Sequence, residues 1–128
     1  MGMESFMPVV LKVNPQKKVV YSTFFGIVTD EELLEHAHTI HSHPDFRREY
    51  AEIVDLTMVT EMRVTREALR RLAQAPSVFE PAVKHAIIAP KDSAFEEAQA
   101  FSHLAATSRR NLKVVRTAAE AYKFLGLV

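Results

Sequence analysis

The sequence predicts a single α/β domain with the element order β-β-α-β-α-β-α-β-α. Short apolar segments rich in β-branched residues alternate with amphipathic segments of helical period, and capping motifs precede several of the helical segments. Strands that are separated by helices favour parallel crossovers. We therefore expect one domain over residues 1–128, with a mixed five-stranded sheet packed with four helices. A length of 128 residues and a hydrophobic fraction of 48% suffice for one core.

The first half of the chain supplies three strands and one helix. Met7–Val13 and Lys18–Phe25 are separated by turn-forming residues, which predicts an opening β-hairpin. Thr29 with Glu32 forms a capping box that begins the first helix, and this helix runs to about His43, before a proline. Tyr50–Leu56 is the predicted third strand.

The second half continues the alternation. Thr65 is the predicted N-cap of the second helix, and Lys84–Ala89 is a mostly apolar fourth strand. Ser93 with Glu96 predicts the start of a third helix. The apolar stripe of this helix comprises Ala94, Ala98, Phe101, Leu104 and Ala105.

The last strand and helix complete the pattern. Leu112–Val115 is the predicted fifth strand. Thr117 with Glu120 forms a capping box for the last helix, which Gly126 can terminate because glycine readily adopts the left-handed conformation.

Composition excludes several classes of function. The chain has no cysteine, so disulfides and thiolate chemistry are absent, and its three glycines cannot form a phosphate-binding or dinucleotide-binding loop. We expect no cofactor. Equal numbers of basic and acidic residues, 16 of each, argue against nucleic acid as a partner. The residues from Met1 to Val13 show no signal-peptide pattern and no segment resembles a membrane span, which predicts a cytoplasmic protein without membrane insertion.

Four histidines near the first helix raise the question of a metal site. At about 100° per residue, His36 and His43 lie near one edge, His38 lies on the other, and His41 falls within the apolar arc. Because the four do not converge and no metal-binding motif is present, we expect no metal.

A ligand-binding edge is the main site hypothesis. Asp55 and Thr57 lie at the end of the third strand, while Lys91 and Ser93 lie between the fourth strand and its helix. Parallel strands would bring both pairs to the carboxyl edge of the sheet, where open α/β folds bind ligands. A small anionic ligand would suit Lys91 and the helix amides. Alternatively, these residues only close turns and cap helices.

At pattern level the chain resembles bacterial SpoIIAA-like proteins of the STAS and Sec14-like fold. The residues that carry the resemblance are "GIVTDEELLEHA", "HPDF", "YAEIVDLTMVT", "AIIAPKDSAFEEAQAF" and "VVRTAAEAYKFL". The resemblance implies a non-enzymatic regulatory module. STAS switches are phosphorylated on the second serine of an Asp-Ser-Ser-Gly motif, and here that motif aligns with 63–66, where only Thr65 keeps a hydroxyl. Thr65 is therefore an unlikely phospho-acceptor and a better helix cap, which aspartate should replace equally well.

These observations predict a non-enzymatic STAS-like module that binds a partner protein or a small ligand in bacterial regulation. One alternative is a small-molecule or lipid-binding domain of Sec14-like shape. Another is a minor hydrolase, which would need His85 or His103 beside Ser93. We also expect a homodimer, because the opening hairpin presents an edge strand that a second copy would protect.

Overall fold

The computed structural model describes residues 9–127, so Met7 and Pro8 of the predicted first strand lie outside the described residues. The element order predicted from the sequence is confirmed. Within the described residues the elements are β1 (Val9–Asn14), β2 (Val19–Thr29), α1 (Asp30–His41), β3 (Ala51–Arg63), α2 (Arg66–Gln74), β4 (Lys84–Ile88), α3 (Asp92–Leu104), β5 (Asn111–Val115) and α4 (Ala118–Leu125).

The five strands form one mixed sheet in the order β1-β2-β3-β4-β5. β1 and β2 form the predicted antiparallel hairpin, and every later neighbour is parallel. Right-handed crossovers between parallel strands in sequential order bring all the connecting helices to the same face. Accordingly α1, α2 and α3 cover one face, which we call the inner face, and α4 packs on the opposite face.

Each face of the sheet has its own hydrophobic core. On the inner face the buried sheet residues are Phe24, Val28, Leu56, Val59 and Ile87, packed against buried residues of α2 and α3. On the other face Ile53, Ile88 and Ala121 join the sheet to α4. A further cluster around Ile40 and Phe79 closes one end of the inner core. No helix among residues 9–127 is both long and apolar enough to cross a membrane.

The predicted capping motifs begin α1 and α4, and the predicted glycine ends α4. The Thr29 N–H donates to Glu32 Oε1 at 2.7 Å at the start of α1. Glu120 in turn accepts from the Thr117 N–H at 3.1 Å at the start of α4. Gly126 follows α4 with φ of 76°, the left-handed conformation in which glycine is favoured.

The start and the apolar stripe of α3 differ from the prediction. The predicted Ser93 cap is wrong, because α3 begins at Asp92 and its N-cap residue is Lys91. Asp92 supplies the acidic group that suits the first turn of a helix. Leu104 is 37% exposed and does not belong to the buried stripe, because at about 100° per residue it points well away from the direction that the other four residues share. The other four stripe residues are buried.

The second and third strands are longer than predicted. β2 and β3 stay paired from Val19 and Ala51 to Thr29 and Arg63, well past the last pairing of β3 with β4 at Asp55 and Ile88. Two register shifts interrupt this ribbon. Gly26 lies at the second shift with φ of 67°, so a glycine meets the backbone requirement of the irregularity.

Candidate functional site

A cavity lies between the inner face of the sheet and helices α1, α2 and α3. It has a volume of about 100 Å³, and its walls are mostly apolar. At roughly 10–15 Å³ of such volume per water, it has room for about seven to ten non-hydrogen atoms. The apolar lining includes Phe24, Leu33, Ala37, Ile40, Val54, Leu56, Met62, Leu69, Leu72, Phe79, Ile87, Ala98, Phe101 and Leu112. These residues come from most of the elements that surround the inner face.

A buried hydrogen-bonded pair, Glu52 and His85, forms the polar wall of this cavity. Glu52 on β3 and His85 on β4 are directly opposite in the strand register and are 8% and 2% exposed. His85 Nδ1 and Glu52 Oε1 are 2.7 Å apart. Burial by itself would raise the pKa of Glu52, but the hydrogen bond and charge of His85 lower it, with help from His36 and Arg109. Because an ionised carboxylate only accepts, Nδ1 of His85 donates this bond.

A second histidine reaches the cavity from α1. His36 Nε2 and Ser22 Oγ form a hydrogen bond of 2.7 Å, and the imidazole packs edge-on against Phe24 with ring centroids 5.1 Å apart. Burial lowers the pKa of His36, and the charge of Glu52 opposes this only in part. The ring of His36 is therefore neutral near pH 7.

A guanidinium closes the polar side of the cavity. Arg109 lies between α3 and β5, and its Nη1 donates to Ser108 Oγ at 3.1 Å while its Cζ lies 5.2 Å from the centroid of the Phe101 ring. Burial lowers the pKa of Arg109, and Glu52 opposes the shift. An arginine side chain nevertheless stays charged in proteins. Arg109 and Glu52 make no ion pair within residues 9–127, so the two charges remain separated.

Some polar atoms of this cluster face the cavity itself. Among the described residues, Glu52 Oε2, His36 Nδ1 and His85 Nε2 have no protein hydrogen-bond partner. No fully buried side-chain nitrogen or oxygen in this part of the chain lacks a partner. These three atoms are therefore accessible to a water-sized molecule, and since their residues line the cavity, its wall can offer both acceptors and donors to a bound molecule.

The predicted residues Asp55 and Thr57 lie together, but not at a strand end. β3 continues to Arg63, so Thr57 lies within the strand, where β3 has one residue more than β2. Asp55 Oδ1 accepts the Thr57 N–H at 2.9 Å, and Asp55 Oδ2 accepts the Tyr21 hydroxyl at 2.7 Å. Burial and the bond to Asp55 raise the pKa of Tyr21. Asp55 thus satisfies the backbone at an irregular point of the ribbon.

The predicted residues Lys91 and Ser93 lie beyond the carboxyl end of β4. Lys91 Nζ donates to the Val59 carbonyl at 2.7 Å, and Asp92 accepts from Arg116 Nη1 at 2.8 Å. Ser93 is exposed. No hydrogen bond or ion pair within residues 9–127 links this pair to Asp55 and Thr57. Anion binding at this edge stays a prediction, although Lys91 is engaged by a carbonyl.

Thr65 is the N-cap of α2, as predicted. Its Oγ1 accepts the Ala68 N–H at 3.1 Å. Its N–H and hydroxyl both donate to the carboxylate of Asp30, each at 2.7 Å. This carboxylate links the start of α1 to the start of α2, and it would repel a negative group at Thr65. The expectation that aspartate replaces Thr65 equally well therefore changes.

The histidines are arranged differently from the helical projection. His41 is exposed, so its predicted place in the apolar arc is wrong, and His36 is the histidine of α1 that faces the core. α1 ends at His41, which leaves His43 outside the helix. Within residues 9–127, no three histidine or carboxylate side chains lie close enough to hold a metal ion together.

Sequence reasoning missed the cluster around Glu52, and one signal would have found it. Side chains alternate between the two faces of a strand, so Glu52 shares the inward phase with Val54 and Leu56. His85 in the same way shares the phase of Ile87. A polar residue in the buried phase of a strand needs a partner, and here each is the other's partner.

Comparison with known proteins identifies the fold. No protein-family model matches the chain, and no curated protein matches it. Its structure is similar to the crystal structure of an uncharacterized DUF3478-family protein with a SpoIIAA-like fold from Shewanella loihica PV-4. The TM-score is 0.60 over 97% of this chain and 99% of that chain, at 14% sequence identity. The chain therefore has a SpoIIAA-like fold, and a likeness at this identity carries no activity with it.

The link between Thr65 and Asp30 generates a stability prediction. Thr65→Ala should lower the free energy of unfolding by about 1 kcal/mol, the usual loss for an N-cap. Thr65→Asp should be less stable than Thr65→Asn, because the new carboxylate faces Asp30. Asp30→Asn should remove this difference. Urea unfolding of the single and double variants measures it, and equal stability of Thr65→Asp and Thr65→Asn would contradict the role of Asp30.

The buried histidine of α1 generates a pH prediction. The folded-state pKa of His36 lies below its ordinary value of 6.5, so the unfolded chain binds more protons as the pH falls. The contribution of His36 to the free energy of unfolding is therefore complete above pH 6.5 and is lost as the pH falls below that value. The lowered pKa of Glu52 acts in the same direction below pH 4.5. Denaturant unfolding measured from neutral to mildly acidic pH should show this fall in the free energy of unfolding. His36→Gln should flatten the profile, whereas the exposed His38→Gln should not, and identical profiles for all three proteins would refute the assignment.

Proposed function

We propose that this chain is a non-enzymatic module that binds a small, largely apolar molecule in the cavity beneath α1, α2 and α3. The observation that carries the proposal is an apolar cavity of about 100 Å³ with one polar wall. Ligand sites are typically concave and apolar, with a few polar groups that set orientation. A regulatory role in bacteria is proposed on the resemblance of the sequence to SpoIIAA-like proteins alone.

The cavity favours a small ligand over the alternative functions. A protein-interaction module needs only a close-packed core and a binding surface, whereas here the inner core contains a cavity. Space for about seven to ten non-hydrogen atoms is too small for a lipid with a long acyl chain. The hydrolase alternative is not favoured, because His85 pairs with Glu52 rather than with Ser93.

The Ser22–His36 pair also gives no support to a hydrolase. Ser22 is completely buried in the middle of β2, where a substrate carbonyl could not approach its hydroxyl. The nearby acid, Glu52, is hydrogen-bonded to His85 and not to His36. A serine nucleophile needs a histidine base that a third group orients. Here the histidine beside Ser22 is His36, whereas the acid orients a different histidine, His85.

Filling the cavity tests the proposal. Ala98 lines the cavity from α3, and Gln99 beside it on the same helix is exposed. Benzyl alcohol, whose size matches the cavity, should shift the NMR signals of lining residues in a saturable way. Ala98→Leu should abolish these shifts by occupying the space, while Gln99→Leu should leave them unchanged. Shifts scattered over the surface, or equal in both variants, would overturn the proposal.

We propose in addition that the protein forms a homodimer through the part of the sheet that α4 leaves open. α4 packs on β4 and β5, whereas Val10, Ile27 and Met58, at 38%, 39% and 55% exposure, lie on β1, β2 and β3. Each alternates with a neighbour packed on the inner face, so the three project from the opposite face. Association of two copies through this face would remove its apolar side chains from water.

Light scattering tests the dimer. The unaltered protein should show twice the 14.5 kDa mass of one chain at high concentration. Met58→Lys should shift the equilibrium towards the monomer, because it places a charge in the interface. Leu104→Lys, at a comparably exposed residue of α3, is the matched control and should not do so. A monomer at every concentration would contradict the proposal.

A further inference from the structure

The polar wall of the cavity places a specific demand on any molecule that fills it. Glu52 is ionised, and its Oε1 is taken by His85. Its Oε2 has no partner within residues 9–127 and is open to the cavity. When the cavity is empty of ligand, water can donate to this oxygen. A molecule that displaces the water must donate in its place or leave a buried charged acceptor unsatisfied.

The charges around the cavity restrict the ligand further. A carboxylate or phosphate would face the negative charges of Glu52 and Glu97, which both line the cavity. An amine or other cation would be attracted by these carboxylates but repelled by Arg109, and Arg109 would in turn attract an anion, so for either sign of charge the attraction is partly offset. Either charged group would also lose its hydration on entering apolar walls. A neutral molecule avoids both costs.

We infer that the ligand is a neutral, mostly apolar molecule whose hydroxyl or N–H group donates a hydrogen bond to Glu52 Oε2. The inference rests on the proposed function of the cavity and specifies the chemical class of its ligand. The apolar body of the ligand packs against side chains such as Leu69 and Phe101. Arg109 and the free nitrogens of His36 and His85 are available to a second polar atom of the ligand.

Three probes of similar size separate these requirements. Benzyl alcohol has a neutral donor, ethylbenzene has a methyl group in place of the hydroxyl, and phenylacetate has a carboxylate. At neutral pH we expect benzyl alcohol to bind about tenfold or more tightly than ethylbenzene, although ethylbenzene is the more apolar molecule, because a hydrogen bond to a charged acceptor outweighs the difference. Phenylacetate should bind weakest. Titration calorimetry gives the dissociation constants, and the side-chain carboxyl carbon signal of Glu52 should move with benzyl alcohol only.

Three variants identify the acceptor. Glu52→Gln keeps the shape of the side chain but removes its charge, so it should reduce the preference for benzyl alcohol over ethylbenzene. Glu96→Gln makes the same change at an exposed residue of α3 and should keep the preference. If Glu97→Gln abolished the preference while Glu52→Gln kept it, the assignment to Glu52 would be wrong. Should Glu52→Gln fail to fold, the order of affinities of the three probes for the unaltered protein still tests whether the ligand must be a neutral donor.

The experiments distinguish a failure of the proposed function from a failure of the inference about the ligand. If none of the three probes binds in the cavity, the proposed function itself is overturned. If ethylbenzene or phenylacetate binds as tightly as benzyl alcohol, the cavity is a ligand site but the inference about its ligand is wrong.

Discussion

Glu52 lies on the inner face of the sheet, where an unpaired charge costs several kcal/mol of desolvation. Its hydrogen bond to His85 requires a register between β3 and β4 in which the two residues are directly opposite. A slip of one residue would turn a strand's inward side chains to the other face and separate the pair. The hydrogen bond between Glu52 and His85 therefore depends on the strand register, and the need to satisfy Glu52 in turn favours that register.

The same carboxylate accounts for a cavity in an otherwise close-packed core. An apolar side chain packed against Glu52 Oε2 would leave a buried charge without a partner, which costs more than an open space. Opposite charge comes instead from Arg109, before β5, and the imidazole of His36 on α1 lines the same cavity. Elements that are distant in sequence thus converge on one residue of β3. The result is a cavity with apolar walls and one polar side.

The fold was predictable because its signals are local. Thr29, Thr65 and Thr117 cap their helices through nearby atoms, and the alternating pattern of β1 is visible within six residues. The length of β3 was not predictable, since its last residues are strand only through pairing with β2. The Ser93 cap failed because Asp92, one residue earlier, already enters the helix.

The candidate site was not predictable for a different reason: its contacts are long-range. Glu52 and His85 are 33 positions apart, and only the register makes them neighbours. Open α/β folds usually bind ligands at the carboxyl edge of the sheet. At this edge Lys91 donates to the Val59 carbonyl and Arg116 to Asp92, so part of its hydrogen-bonding capacity is already used within the chain. Glu52 Oε2 and His85 Nε2, which have no hydrogen-bond partner within residues 9–127, lie instead near the amino ends of β3 and β4, under the helices. The hydrogen-bonding atoms that line the cavity therefore lie beneath α1, α2 and α3, and the packing of these helices limits the size of the space beside them.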